Sequence, residues 1–180
     1  MADFEMSLVC YLLAFEGKKD IVTIGYEKEI VYSAGSKIGY KPSITVKEAL
    51  ELKDVEGLII PGGLNSEQRP ELTELIQKLN QSKKLLAAIC RGPQYLARAG
   101  VLEGRFYTTT MTLEVIKRLG IEDPFPRQTF ANKRVIRDDN IITAIDTAFV
   151  EFSIEICDWF HVFKDIDDKM EMIKTFKGID

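Results

Sequence analysis

The stretch that decides the fold runs from Leu85 to Pro93 and reads Leu-Leu-Ala-Ala-Ile-Cys-Arg-Gly-Pro. Its first half is an apolar run with the length of a buried strand, and proline is tolerated in the first turn of a helix. Cys90 has a small residue two positions before it and a glycine two positions after it, which is the spacing of a nucleophile elbow between a strand and a helix. The stretch therefore predicts an α/β fold with Cys90 at the carboxyl edge of a sheet.

Short apolar runs alternate with longer segments of helical period on both sides of this stretch, as is typical of βαβ units. We predict a single α/β domain over residues 1–180, with a flavodoxin-like, doubly wound and mostly parallel sheet and helices on both faces. The predicted strands are Ile21–Gly25, Glu29–Ser33, Gly57–Ile60, Lys84–Cys90, Phe106–Thr109, Arg134–Arg137 and Ile141–Ile145. The predicted helices are one capped by Asp3 and stopped at Gly17, then Glu71–Asn80 with Pro70 ahead of it, Pro93–Gly100, Thr112–Leu119 closed by Gly120, Ala148–Phe163 and Ile166–Phe176.

The start of the chain departs from this pattern, because a helix precedes the first strand. In a doubly wound sheet the first strand of the chain is central. The sequence has no stretch ahead of the first helix that could form this strand. We therefore expect that the natural protein or its closest relatives carry about ten residues before Met1 that supply this strand. The alternative is that Leu8–Phe15 is itself the strand, although no crossover helix would then separate it from Ile21.

Composition and charge exclude several classes of partner. The chain carries 28 acidic and 24 basic residues, for a net charge of -4, so it lacks the basic surface that binds nucleic acid or anionic lipid. Its longest apolar run is too short to cross a bilayer and has no signal-peptide flanks. We expect a cytoplasmic protein with no nucleic-acid or membrane partner.

The three cysteines, Cys10, Cys90 and Cys157, are widely spaced and include no Cys-x-x-Cys pair. This pattern argues against disulfides and zinc, so we expect reduced thiols and no metal or cofactor. Cys10 and Cys157 lie in apolar segments, where burial should raise the thiol pKa. Cys90 should face the start of the helix at Pro93, which favours thiolate and predicts a lowered pKa. The alternative for Cys90 is a small, buried apolar residue at the end of a strand.

A second glycine turn follows another predicted strand, at Pro61-Gly62-Gly63. Glycines permit close backbone approach, so Gly62 and Gly92 would give the elbow its room. The N–H of Gly63, together with that of Arg91, could form an oxyanion hole for an intermediate on Cys90. The simpler interpretation of the motif is a tight turn between a strand and a helix.

Three segments resemble the DJ-1/PfpI superfamily, which has a class I glutamine amidotransferase-like fold: Ile59-Ile60-Pro61-Gly62-Gly63, Ala87-Ala88-Ile89-Cys90-x-Gly92-Pro93 and Leu96-Ala97-x-Ala99-Gly100-Val101-Leu102-x-Gly104-Arg105. The resemblance implies a flavodoxin-like domain, usually a homodimer, with a reactive elbow cysteine beside a buried glutamate from the start of the first helix. Glu5 falls on that glutamate. A carboxylic acid desolvated there can stay protonated, donate to the sulfur and act as a general acid or base.

The histidines that accompany the cysteine in some members of the superfamily are missing here. Members proposed as proteases carry one where this chain has Arg91, and members with glyoxalase activity carry one where it has Thr110. The single histidine, His161, falls in an aromatic helix and is expected to be structural. Classical Cys–His peptidase chemistry therefore lacks its base. Glutamine amidotransferases share the elbow, but the segment at Asp146, where their histidine would lie, contains none.

Two functions remain open on the same residues. The first is a cysteine-dependent, protease- or amidase-like hydrolase, hydratase or lyase for a small molecule. Cys90 attacks an electrophilic carbon, the N–H groups of Gly63 and Arg91 hold the anion, and Glu5 moves the proton. The second is a non-catalytic redox sensor or stress-response protein in which Cys90 is oxidised to sulfenic or sulfinic acid.

Overall fold

The computed structural model describes residues 1–179 and has a four-stranded sheet at its centre. The helices are α1 (Phe4–Phe15), α2 (Val46–Leu50), α3 (Pro70–Gln81), α4 (Pro93–Arg98), α5 (Leu113–Leu119), α6 (Phe149–Trp159) and α7 (Ile166–Lys177). The strands are β1 (Ile24–Gly25), β2 (Val31–Tyr32), β3 (Gly39–Tyr40), β4 (Ile44–Thr45), β5 (Gly57–Ile60), β6 (Leu85–Ile89), β7 (Val135–Asp138) and β8 (Ile141–Ala144). None of the helices within residues 1–179 has the length and apolar character of a membrane span.

The central sheet has the order β5-β6-β8-β7. Strands β5, β6 and β8 are parallel, and β7 is antiparallel to β8. In the register of the sheet, Ala88 of β6 lies between Ile60 of β5 and Thr143 of β8. Two short pairs lie outside this sheet: β1 is parallel to β4, and β2 forms an antiparallel hairpin with β3. The carboxyl ends of β5, β6 and β8 therefore share one edge.

The two faces of β6 are buried under different sets of helices. Leu86 and Ala88 belong to a core cluster that includes apolar residues of α2, α3, α4 and α5. Leu85, Ala87 and Ile89 belong to a second cluster, with residues of α1 and α6. Because successive side chains of a strand point to opposite faces, this alternation places helices on both sides of the sheet. The predicted doubly wound α/β class is confirmed.

The first helix, α1, corrects two expectations about the start of the chain. Residues 4–15 are helical, with Val9 and Leu12 buried against the sheet, so the interpretation of Leu8–Phe15 as a central strand is wrong. Asp3 makes no capping hydrogen bond with its side chain. Its carboxylate instead accepts a hydrogen bond of 2.6 Å from the hydroxyl of Ser36.

Strand β5 lies at an edge of the central sheet, and β1 is shorter than predicted. Only Ile24 and Gly25 of the predicted strand Ile21–Gly25 are paired, with β4, and Ile21 and Val22 are exposed. An ion pair of 2.8 Å between Lys19 and Glu56 links the segments that lead into β1 and β5. The strand expected from residues before Met1 stays a prediction.

Three other predicted elements differ from the structure. Phe106–Thr109 forms a single bridge, between Tyr107 and Phe130, because the Thr108 N–H donates to the Thr143 side chain rather than to a strand. Glu29–Ser33 contributes only β2 of the peripheral hairpin. The predicted helix Ala148–Phe163 is shorter, since its end turns at His161, where φ is 54°.

Candidate active site

The end of β6 is a strained turn centred on Cys90. This residue has φ of 62°, a left-handed conformation that is uncommon for a side chain other than glycine. The Cys90 N–H donates to the carbonyl of Ala144 at the end of β8 over 2.9 Å, and α4 begins three residues later, at Pro93. The half-buried Cys90 side chain is thus held at the carboxyl edge of the sheet, as a nucleophile elbow requires.

Gly92 gives the elbow the clearance that it needs. A Cβ at this position would lie 2.4 Å from the carbonyl oxygen of Ile60 and 2.9 Å from that of Ile89. Both neighbours are backbone atoms of the sheet, which cannot move aside cheaply. Only glycine therefore allows the chain to turn so close to β5.

Glu5 and Gly62 lie directly beside the sulfur. The Glu5 side chain, in the first turn of α1, is almost fully buried, and its Oε2 accepts a 2.6 Å hydrogen bond from the Gly62 N–H. A Cβ on Gly62 would lie 2.8 Å from Sγ of Cys90 and 2.9 Å from Oε2 of Glu5. The carboxyl and the thiol therefore both lie next to the position that a Gly62 side chain would occupy.

Burial and neighbouring charge make both groups weak acids. Burial raises the pKa of Glu5 above its usual range, although the Gly62 hydrogen bond and the contact with Cys90 lower it in part. Burial also raises the pKa of the Cys90 thiol to about 11, and the charges of Glu5 and Asp146 add to this effect. The expectation of a lowered thiol pKa is wrong, because burial and the two nearby carboxylates raise it instead.

Thr110 lies next to the Cys90 sulfur, and no role was predicted for it from the sequence. Its hydroxyl donates to Sγ of Cys90 over 3.5 Å, which lowers the pKa of the thiol in part. The Thr110 N–H and the Thr109 hydroxyl both donate to the Cys90 carbonyl, over 3.1 Å and 2.7 Å. The only signal in the sequence was that Thr110 stands where some relatives carry histidine.

The backbone amides expected to form an oxyanion hole are those of Gly63 and Arg91, which follow Gly62 and Cys90 in the chain. In the part of the chain that the structure describes, neither the Gly63 N–H nor the Arg91 N–H has a hydrogen-bond acceptor. Gly63 has φ of 145°, and a Cβ there would lie 2.8 Å from Cα of Met1. The oxyanion hole at these two amides stays a prediction, and Gly63 packs against the start of the chain.

The remaining sulfur and histidine side chains lie apart from the site. Cys157 is fully buried, and burial raises its thiol pKa to about 12. Cys10 is half-buried rather than buried, and burial raises its pKa as well. His161 is exposed beyond the end of α6. Across residues 1–179, no group of three or more His, Cys, Asp or Glu side chains is arranged to hold a metal ion.

Comparisons with known proteins agree with this architecture. The model of the DJ-1/PfpI family matches residues 1–158. The uncharacterized protease YoaZ of Bacillus subtilis is 29% identical over 147 residues, which are 79% of this chain and 67% of that protein. A deglycase of Thermococcus kodakarensis is 33% identical over 111 residues, 54% of this chain and 64% of that protein.

The similarity extends to solved structures. The crystal structure of a thiJ/pfpI family protein from Bacillus anthracis superposes with a TM-score of 0.81 at 27% identity, and the match covers 98% of this chain and 85% of that one. The chain spans about two thirds of the length of several of the curated relatives that it matches, YoaZ and the Thermococcus kodakarensis deglycase among them.

Proposed function

Because the chain belongs to the DJ-1/PfpI family, we propose that it is a cysteine-dependent hydrolase, hydratase or lyase for small molecules. Cys90 is the nucleophile and Glu5 moves the proton. The observation that carries the proposal is the approach of Sγ of Cys90 and Oε2 of Glu5 to one point above Gly62, at 2.8 Å and 2.9 Å. A nucleophile with a raised pKa needs a base beside it, and Glu5 occupies that place.

The first step is attack by the thiol on an electrophilic carbonyl carbon. The S–C bond forms while the π electron pair of the carbonyl moves to its oxygen, and the thiol proton passes to the Glu5 carboxylate. A raised pKa makes that carboxylate a stronger base than an ordinary glutamate. The free N–H groups of Gly63 and Arg91 would stabilise the negative oxygen.

The proton on Glu5 decides how the reaction continues. In an addition it is returned to the oxygen. In a hydrolysis it is given to the leaving group, which departs with the electrons of its bond to carbon. Water then attacks the thioester carbon while Glu5 accepts its proton; the C–S bond breaks, and that proton returns from Glu5 to the Cys90 sulfur. The names of the relatives, deglycase and protease, support this reaction class and differ in substrate.

A redox sensor would use the same sulfur and would likewise need its proton removed. Oxidation to sulfenic acid proceeds from the thiolate. Burial, together with the charges of Glu5 and Asp146, keeps Cys90 protonated at neutral pH. The enzyme removes that proton during attack, and the approach of the Glu5 carboxyl to the sulfur therefore supports the enzymatic proposal.

The experiment is hydrolysis of p-nitrophenyl acetate, followed by absorbance and by intact mass. We expect a burst of p-nitrophenolate and an acetyl adduct on Cys90, both lost in Cys90→Ser. The matched control is Cys10→Ser, which removes another half-buried thiol and should leave both signals unchanged. Equal turnover in Cys90→Ser would overturn the proposal. Conversion to a sulfenic acid by peroxide, without any ester turnover, would favour the sensor.

We also propose that the protein is a homodimer and that a second copy covers the outer face of α1. Tyr11 and Phe15 on that face are 52% and 56% exposed and stack on each other at 5.5 Å. The hairpin of β2 and β3 adds exposed Val31 and Tyr32. Exposed apolar surface of this kind marks interaction sites.

Light scattering at micromolar concentration should give about twice the chain mass of 20.4 kDa. The double variant Tyr11→Glu and Phe15→Glu should lower the mass, and a monomeric mass for the unaltered protein would refute the dimer. A cytoplasmic location belongs to the same proposal, since a free nucleophilic thiol persists in a reducing compartment.

A further inference from the structure

The Thr110 hydroxyl contacts Cys90, and the segment that carries it is hydrogen-bonded to Arg127, which is distant in the sequence. Thr110 approaches Sγ through its side chain, and the next residue, Met111, directs its carbonyl to the guanidinium of Arg127. The Arg127 Nη2 donates to that carbonyl over 2.9 Å. The Met111 N–H in turn donates to the Thr109 hydroxyl over 3.2 Å, so the segment is tied at adjacent positions to both Cys90 and Arg127.

Arg127 is itself fixed from two directions. Its Nε and Nη2 donate to the two carboxylate oxygens of Asp123 over 2.7 Å and 2.9 Å. Its guanidinium carbon lies 4.7 Å from the ring centre of Phe125 and 5.8 Å from that of Phe130. A planar fork that pairs with a carboxylate and stacks on aromatic rings loses little freedom on making a further hydrogen bond. The third contact, to Met111, is therefore well preorganised.

The ion pair is partly shielded from solvent and stays charged. The side chains of Arg127 and Asp123 are 18% and 25% exposed. Burial alone would raise the pKa of Asp123, but the hydrogen bonds and charge of Arg127 outweigh it and hold that pKa below its usual range. The pair is consequently intact at the pH where an enzyme of this class would work.

We propose that Arg127 is a positioning residue for the reaction of Cys90: by holding the Met111 carbonyl, it keeps the Thr110 hydroxyl on Sγ. The Thr110 hydroxyl donates to the sulfur and stabilises the thiolate as it forms. Lysine keeps the charge of Arg127 but lacks the fork that binds Asp123 and Met111 together. This inference rests on the proposed function, since it takes Cys90 as the reacting thiol.

A double-mutant cycle tests whether Arg127 acts through Thr110. The variants are Arg127→Lys, Thr110→Val and the two combined, and the readout is the rate of Cys90 alkylation by iodoacetamide at about pH 8, measured by peptide mass. Losing one hydrogen bond to the sulfur should slow alkylation about three- to tenfold in Thr110→Val. Arg127→Lys should also slow alkylation. The double variant should be no slower than Thr110→Val alone.

The matched control is Arg137→Lys. Arg137 also pairs with an aspartate, Asp158, at 2.8 Å, and stacks on Trp159 at 5.1 Å, but it lies on β7. This variant should alkylate at the unaltered rate. If Arg127→Lys melts below the assay temperature, Asp123→Asn is the second variant: it keeps the guanidinium but replaces the charged, two-oxygen partner with a single amide oxygen, and it carries the same expectation.

Two results overturn the inference while leaving the proposed function intact. One is a folded Arg127→Lys variant that alkylates at the unaltered rate. The other is a slowing by Arg127→Lys that is as large in the Thr110→Val background as without it. Failure of Cys90 to alkylate in the unaltered protein would instead overturn the proposed function, and the role of Arg127 with it.

Discussion

Gly62 and Cys90 approach so closely that a Cβ on Gly62 would lie 2.6 Å from Cβ of Cys90 and 2.8 Å from its Sγ. The absence of a side chain at Gly62 lets β5 and the elbow meet, and it leaves the Gly62 amide free to hold Glu5. One glycine thus sets the position of both the sulfur and the carboxyl.

Gly62→Ala should disrupt the site. The added methyl group would push against Cys90 and Oε2 of Glu5, at an overpacking cost of about 1–3 kcal/mol in the free energy of unfolding, and ester turnover should fall with it. Gly35→Ala is the control, because a Cβ at Gly35 meets no atom within 4 Å. Urea unfolding and ester hydrolysis would check both variants. Unchanged turnover in Gly62→Ala would contradict the geometry.

Limited iodoacetamide should label the three thiols in a defined order. We expect Cys90 to react first, because it has a carboxylate beside it to take the proton. Cys10 is half-buried with a pKa raised by burial, and Cys157 is fully buried with a pKa of about 12, so both should react later. Peptide mass after partial labelling gives the order. Equal labelling of all three in the folded protein would speak against the elbow assignment.

Glu5→Gln should stabilise the fold in a pH-dependent way. Because the pKa of Glu5 is raised in the folded state, the folded protein binds this proton more tightly than the unfolded chain does. Stability is therefore lost as pH rises through the interval between the unfolded and folded pKa values. Glutamine keeps an oxygen acceptor for the Gly62 N–H and does not ionise.

The measurement is Tm against pH for the unaltered protein and for Glu5→Gln. The Tm of Glu5→Gln should be higher at neutral pH, and the difference should shrink below the ordinary carboxyl pKa. Glu16→Gln, an exposed change at the end of the same helix, should show no such trend. A difference in Tm that does not vary with pH would count against a buried, titrating Glu5.

Local sequence signals sufficed for the elbow and for most helices. The cysteine, its flanking small residues and Pro93 lie within a few positions of one another, and they determine the turn at Cys90 directly. The cap at Gly120, with φ of 63°, follows from the same kind of local chemistry. The predicted strand Phe106–Thr109 does not form, because the Thr108 N–H donates to the hydroxyl of Thr143 on β8 instead of to a neighbouring strand.

Long-range contacts account for what the sequence did not show. The pKa of Cys90 depends on burial and on carboxyls from α1 and from the turn after β8, which no local pattern around the elbow indicates. The same holds for Thr110 and Arg127, which the fold joins to Cys90 through Met111. Side-chain chemistry at a sheet edge is assembled from several strands, so its electrostatics could not be predicted from one segment.

The central claim, that Glu5 takes the proton of Cys90, is tested most directly by the pH dependence of Cys90 alkylation. Two coupled groups titrate as a pair. In the unaltered protein, the rate should rise as Glu5 loses its proton, level off while the proton left on the pair is shared, and rise again toward the thiol pKa of about 11. In Glu5→Gln the plateau should vanish, and a single rise should appear with a midpoint below that value, because the carboxylate charge is gone. A single rise with the same midpoint in both proteins would contradict the account.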